Sequence, residues 1–505
     1  MLTFESFEFH AADLRAEFFF ALDGESFRET LRFHFPPAFK LDLENEHLPH
    51  ALFTAHLALG ISCWKIAAPP SIQVKSGFLP AKERKFWHDA WEHGLGEFFF
   101  ENNIDFRGLV NFENAGENAA GKFAMENLPV ANVGGKSAVE NVGENLSGKS
   151  AVENVRGEFA VENASENAGG KLASKNGQQS NLLFFGGGKD SLVGAKLLQK
   201  AGIGFTPLIF GQNEIAAKQG ATFGPPIFIE RKLDRKIFAK NASGKFFNGH
   251  VPFSLILACA ANVAAVLCGA QHLIACNEKS ANFGNTNFLG KKVNHQWSKS
   301  FAAEKMMGRF FQRKFGKKYF SLLRPLWEIQ IAKLFGENCQ EFFSSFASCN
   351  RNFRQSVANL EKGKMWCCAC PKCAFVFTLL AAFLPRETVV EMFGENLFAK
   401  KGLLKIFREL MGQEHFKPFE CVGEKNEVIA AAFLAMEKFG QLPGEESFWE
   451  NFTTGFLHNK SGRPCQRSRQ RLQRLTEKLM SNFGPHCLPE SFQIALRELI
   501  ASRCN

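Results

Sequence analysis

Apolar and polar residues alternate through Phe4 to Phe9, Glu17 to Leu22 and Arg28 to His34, the period-two pattern of half-buried strands. Leu52 to Leu59 is apolar over a helical length, and an aromatic-rich stretch, Phe86 to Asp105, follows it. These elements predict an N-terminal α+β domain over 1–112. The pattern then stops. Between 113 and 180 the chain is rich in Gly, Asn, Glu and Ala, and GKSAVENV occurs at Gly135 to Val142 and again at Gly148 to Val155. Too few large apolar residues are present to repay the entropy of ordering, so the segment reads as a disordered linker or insertion. GENLSGKS, Gly143 to Ser150, matches the Walker A spelling, but no apolar strand precedes it and the repeat accounts for its GKS.

Regular patterning resumes at Asn181. The apolar run Leu182 to Phe185 suits a buried parallel strand, and Leu192, Val193, Ala195, Leu197 and Leu198 fall at helical spacing. Between them lie Gly186, Gly187, Gly188, Lys189, Asp190 and Ser191. A strand, a glycine turn and a helix N-terminus present unpaired backbone N–H groups at the positive end of a helix dipole, which suits an anion. Lys189 adds charge, and Asp190 and Ser191 are candidates for Mg²⁺ contact or capping. Strands are expected at Gly204 to Gly211 and Pro225 to Glu230, a long helix over Asn248 to Ala270, and a strand from Gln271 breaking into a polar loop. In open parallel sheets ligands bind at such carboxyl-end loops, which places Asn277, Glu278, Ser280 and Asn282 for nucleotide or Mg²⁺ contact. A parallel-sheet α/β core is therefore expected over 181–345, with a basic helix reaching Lys318 and an amphipathic helix after Pro325.

Candidate chemistry follows in VNHQWSKS, Val293 to Ser300, where His295 and Lys299 stand four apart among polar residues. Histidine titrates near neutrality and a buried lysine can be brought into range, so this pair is a candidate for proton transfer. Arg324 and Glu328 begin the next amphipathic segment and are further candidates for the catalytic set, Arg324 to hold a carboxylate or phosphate. Cys367, Cys370 and Cys373 form CxxCxxC, with Cys368 between them and Cys349 upstream. Three thiolates and a fourth from a nearby loop suit tetrahedral Zn²⁺, with buried free thiols or an iron–sulfur cluster as alternatives. Over 346–505 apolar helical stretches dominate, interrupted by KPFECVG, Lys417 to Gly423.

Composition narrows the setting. A chain of 505 residues with 14 cysteines is no dense disulfide framework, so the cysteines read as thiols or metal ligands. The net charge of +10 suits phosphorylated substrates without demanding nucleic acid. No apolar run reaches membrane-spanning length and the acidic start is no signal peptide, so a cytoplasmic protein is expected. Phe outnumbers Tyr 57 to 1, which leaves Tyr319 as the single phenol.

GGGKDS resembles the SGGxDS loop of ATP pyrophosphatases, with Gly186 where that pattern has serine, which implies a PP-loop (HUP-like) nucleotide-binding core over 181–345. Together with GLGEFFFEN, NEKSANFGN, VNHQWSKS, YFSLLRPLWEIQIAKLF, SCN, CCACPKC and KPFECVG, in that order around it, the chain resembles the UDP-N-acetylmuramoyl-L-alanyl-L-glutamate epimerase family of peptidoglycan synthesis. The resemblance implies an isomerase dependent on ATP and Mg²⁺, acting on a UDP-muramoyl dipeptide without nucleic acid or membrane insertion. The alternatives are another PP-loop enzyme, such as a 7-cyano-7-deazaguanine synthase-like ligase, or a non-catalytic ATP-binding protein.

Overall fold

The alternating N-terminal segments fold as an antiparallel meander of β1 (Leu2–His10), β2 (Arg15–Leu22) and β3 (Glu25–His34). A computed structural model describes residues 1–115, 181–349, 365–414, 417–459 and 461–501. Beyond β1 the sheet continues through two short parallel strands, β4 (Ser71–Val74) and β5 (Asn111–Asn114). The segment expected as a linker thus begins inside β5, whereas its repeats and the Walker-like GENLSGKS lie outside the described residues.

The second half supplies β6 (Asn181–Phe184), β7 (Thr206–Phe210), β8 (Ile227–Lys232) and β9 (His272–Ala275). A hairpin of β10 (Thr286–Phe288) and β11 (Lys291–Val293) precedes the last strand, β12 (Lys318–Ser321). One ten-stranded sheet results, ordered β12-β9-β6-β7-β8-β3-β2-β1-β4-β5. Its β12-β9-β6-β7-β8 half is parallel throughout. β8 joins β3 antiparallel from Thr30↔Lys232 to His34↔Phe228, so the 1–112 and 181–345 segments share one sheet. They also share a core, in which the Leu48–Leu59 helix packs on the Phe253–Cys268 helix. β6 is buried on both faces, as its unbroken apolar run requires.

Three expected boundaries move. The helix expected from Asn248 starts at Phe253, because Pro252 disfavours helical backbone at Val251 before it. It ends where Gly269 takes a left-handed φ of 72°. The basic helix stops at Phe315 before Gly316, also left-handed, and Lys318 opens β12 instead of prolonging the helix. After Pro325 the helix begins only at Glu328. The C-terminal region is helical, with Pro371–Ala381 against Lys425–Phe439 in a second core that also receives the Glu328–Asn338 helix.

His56 lies fully inside the N-terminal core among Phe4, Phe7, Phe18 and Phe20, with Nε2 on the Phe19 carbonyl at 3.1 Å. Burial depresses it to about 3, the carbonyl bond only partly opposing that. Below about pH 6.5 the unfolded chain therefore binds a proton that the folded chain refuses. We expect His56 to cost stability as pH falls from about 6.5 towards 3, by about 1.4 kcal/mol per unit. Urea unfolding at stepped pH measures it, and His56→Gln should flatten that slope.

Candidate functional site

From β6 the chain moves outward to β7 and β8, then returns to place β9 on the other side of β6. This is a topological switch point, where open parallel sheets bind ligands at the carboxyl ends of their strands. Three carboxylates meet there, each from the segment following a different strand: Asp190 after β6, Glu278 after β9 and Glu328 after β12. Their oxygens lie within 4.8 Å of one another. Lys189, buried at 1% exposure, ion-pairs with Asp190 and Glu328. Burial opposes its charge, but the two carboxylates outweigh this and raise its pKa. Burial likewise pushes Glu328 up, while at Asp190 the Lys189 and Lys372 charges overcome it and lower the pKa. An all-oxygen set at this separation suits a hard divalent cation such as Mg²⁺.

The glycine loop is built for close approach. Gly187 takes a φ of +73°, and a Cβ there would stand 2.9 Å from Gln219 Oε1 and 3.1 Å from Ala216. At Gly188 a Cβ would meet Ser348 Oγ at 2.9 Å. Beside Gly186 there is open space, with nothing within 4 Å of an added Cβ. Two expected polar contacts are turned inward: Ser191 Oγ donates to Gly188 O at 3.0 Å, and Asn277 Nδ2 to Ser321 Oγ at 3.0 Å.

A second cluster adjoins the carboxylates. His295 Nδ1 bonds Glu97, its Nε2 faces Cys421 Sγ at 3.6 Å, and Lys299 Nζ donates to the same sulfur at 3.4 Å. His250 packs against His295, the rings tilted by 46° with centroids 4.5 Å apart. Burial opposes a charge on His295, yet its bonds to Cys421 and Glu97 prevail and raise it to about 10. Lys299 is raised chiefly by the Cys421 charge, aided by Glu278 and Asp190. Burial would raise the thiol, but Lys299 and His295 bring Cys421 down to about 5. His250 is pushed well below its usual range by burial and the neighbouring His295 charge.

Lys372 joins the two clusters, donating to the Cys421 carbonyl and standing 4.0 Å from Glu328 Oε1. The structure thus brings His295 and Lys299 together as expected. It adds Glu97, His250, Lys372 and Cys421, which sequence reasoning missed. The available signal was that Glu97, His295 and Cys421 lie in three of the strings carrying the resemblance, GLGEFFFEN, VNHQWSKS and KPFECVG.

Arg324 and Glu328 take other places than those expected. Arg324 is fully buried, bonding Glu304 Oε2 at 2.7 Å and the carbonyls of Glu278 and Lys299. Its guanidinium fixes the two segments that carry site residues and is not presented to a ligand. Glu328 stands in the carboxylate group and not beside His295. Tyr319 is buried against Phe184 and Phe311, and burial raises its pKa.

The sulfurs of Cys349, Cys367, Cys370 and Cys373 lie within 4.8 Å of one another, with Cys367–Cys373 at 3.7 Å and Cys370–Cys373 at 3.5 Å. Zn–S bonds of about 2.3 Å in a tetrahedron separate sulfurs by about 3.8 Å, so the four thiols fit Zn²⁺. Cys368, with a left-handed φ of 50°, turns away and donates to Phe393 O. A closed four-thiolate site would be structural, tying the Cys349 loop beside Gly188 to the turn that carries Lys372. We expect about one zinc per chain by elemental analysis, and a lowered melting temperature on chelation or in Cys370→Ser. Protein purified without chelator that carries no metal, or removal of the metal without any change in melting, would contradict it.

A family profile described as MurL N-terminal domain matches residues 1–142 and 145–322, and one described as MurL C-terminal domain matches 345–441. The UDP-N-acetyl-alpha-D-muramoyl-L-alanyl-L-glutamate epimerase of Xanthomonas oryzae pv. oryzae is 32% identical over 389 residues, 76% of this chain and 74% of its own. The protein of the same name from a Micromonospora species is 38% identical over 256 residues, covering 50% of this chain and 56% of its own. That of Salinispora tropica is 37% identical over 258 residues, covering 50% and 55%. No solved structure matches.

Proposed function

The chain belongs to the UDP-N-acetylmuramoyl-L-alanyl-L-glutamate epimerase (MurL) family, and from that premise we propose that it inverts the terminal L-Glu of a UDP-muramoyl dipeptide to D-Glu while converting ATP to AMP and pyrophosphate. The observation carrying this reading is the adjacency of the two clusters: carboxylates and a glycine loop suited to ATP, beside a Glu97–His295–Cys421–Lys299 array suited to moving a proton.

The chemistry requires both halves. An ionised α-carboxylate makes the neighbouring Cα–H a very poor acid, because its carbanion would be a dianion. Adenylation removes that charge and leaves an ester-like acyl group, from which the Cα proton can be taken and then returned to the other face. The loop Gly186 to Ser191 would cradle phosphates with its backbone N–H groups and the helix end. Asp190, Glu278 and Glu328 would hold Mg²⁺, which when bound would neutralise charge on the phosphates. Lys189 is neutralised by its two carboxylate partners and sets their spacing, while Lys299 and Lys372 bring positive charge to the junction. This assignment makes 181–345 a PP-loop core and the cytoplasm, where ATP and UDP-linked precursors meet, its setting. Among the described residues no helix is long and apolar enough to cross a membrane.

The test is stereochemical. The protein is incubated with the muramoyl-L-Ala-L-Glu nucleotide with and without ATP and Mg²⁺, and the glutamate freed by acid hydrolysis is resolved on a chiral column. D-Glu forming only with ATP is expected. AMP release without D-Glu would favour a ligase-type PP-loop enzyme, and ATP binding without turnover a nucleotide-binding protein.

A further inference from the structure

We propose that Cys421 is the base that takes the glutamyl Cα proton, its Sγ set 3.6 Å from Nε2 of His295 and 3.4 Å from Nζ of Lys299. The proposal rests on the epimerase reading and identifies the proton acceptor that this reading lacks. An inverting site needs one group that arrives without its proton and another that brings one. His295 and Lys299 are both held as cations, so neither accepts a proton near neutrality. The sulfur they face is the complementary group: a thiolate stabilised by an ammonium and an imidazolium, with Glu97 orienting the imidazole from behind.

The surrounding structure is spent on placing this sulfur. Asn285 Nδ2 holds the Pro418 carbonyl at 2.7 Å, Gln296 Nε2 holds the Val422 carbonyl at 3.0 Å, and Lys372 holds the carbonyl of Cys421 itself. These donors come from the polar loop after β9, from VNHQWSKS and from the cysteine turn. Cys421, His295 and Lys299 each keep a small exposed fraction, 13% of the side chain at His295, unlike the fully enclosed Cys63 and Cys373. His250, kept neutral against His295, adds no competing charge.

The step balances without further reactants. The thiolate takes the Cα proton, and the C–H electron pair passes into the enolate of the activated acyl group. With the acyl group seated between sulfur and ammonium their contact opens, and the Lys299 ammonium returns a proton to the face opposite the thiol. The thiol and amine so formed exchange one proton across their 3.4 Å contact, and the resting ion pair is restored.

The test uses Cys421→Ala and Cys421→Ser in the full chain with two readouts: dipeptide-dependent ATP–pyrophosphate exchange, and solvent deuterium entering the glutamyl Cα. Pyrophosphate exchange should stay measurable while deuterium entry falls by about 10²-fold or more. Deuterium entry at the wild-type rate in either variant would overturn the assignment. Absence of pyrophosphate exchange in the wild-type protein would instead refute carboxylate activation, a failure of the underlying reading. In the wild-type protein, iodoacetamide at pH 6.5 should label Cys421 faster than the exposed Cys487, and the dipeptide should protect it. This readout stands even where a variant fails to fold, and labelling no faster than Cys487 would overturn the proposal. A hydroxylamine-sensitive substrate adduct on Cys421 would also overturn it, because the sulfur would then be a nucleophile.

Discussion

Asp190→Ala is expected to lower AMP formation by about 10²- to 10³-fold, the scale on which removing one preorganised electrostatic contact slows catalysis. Of the three converging carboxylates, Asp190 keeps 31% side-chain exposure, whereas Glu328 keeps 2%. It is therefore the one facing an incoming phosphate or cation. Its loss also leaves Lys189 paired with Glu328 alone, which shifts both groups from their present spacing. Because Asp190 is partly exposed at a helix start, the fold should survive, and an unchanged melting temperature separates lost chemistry from lost structure. Asp190→Asn keeps the shape and removes the charge, so an equal loss would assign the effect to charge. AMP formation above about a tenth of the wild-type rate would move the phosphate and cation site elsewhere.

Arg324→Ala is expected to destabilise the protein by about 3–5 kcal/mol, the usual cost of removing one partner from a buried ion pair. Arg324 and Glu304 are 0% and 1% exposed, and the substitution strands the Glu304 carboxylate together with the carbonyls of Glu278 and Lys299. Those carbonyls belong to residues of the two functional clusters, so activity should fall along with stability. Urea unfolding gives the free energy. Arg324→Lys should recover only part of it, since an ammonium cannot reach three acceptors in the planar fork of a guanidinium. A change below about 1 kcal/mol with a raised KM for the dipeptide would restore Arg324 as a substrate-binding residue.

What was legible in the sequence was local. The alternation in β1 to β3, the buried run of β6 and the glycine turn before Lys189 each write their own structure within about ten residues. The joining of β3 to β8 was not legible, because a register spanning about two hundred residues leaves no periodic trace. Cys421 was hidden for the same reason: its partners His295 and Lys299 lie 126 and 122 positions away. Nearby, KPFECVG shows only that a helical pattern is interrupted. Arg324 misled in the opposite sense. An arginine near candidate site residues reads as a ligand contact until tertiary structure supplies Glu304 and two carbonyls. The cysteine cluster was readable because spacing alone brings Cys367, Cys370 and Cys373 together, yet only the backbone turn at Cys368 shows which of the adjacent pair faces inward.

The central claim is that ATP-driven activation of a carboxylate and inversion at its neighbouring carbon are one reaction at one site. The most direct measurement follows both in heavy water, with ATP, Mg²⁺ and the muramoyl-L-Ala-L-Glu nucleotide, using chromatography for adenine nucleotides and mass spectrometry for the glutamyl residue. AMP and pyrophosphate should appear together with D-Glu carrying solvent deuterium at Cα, and all should vanish when either ATP or the dipeptide is withheld. Deuterium entering Cα at full rate without ATP, or ADP formed in place of AMP, would contradict it.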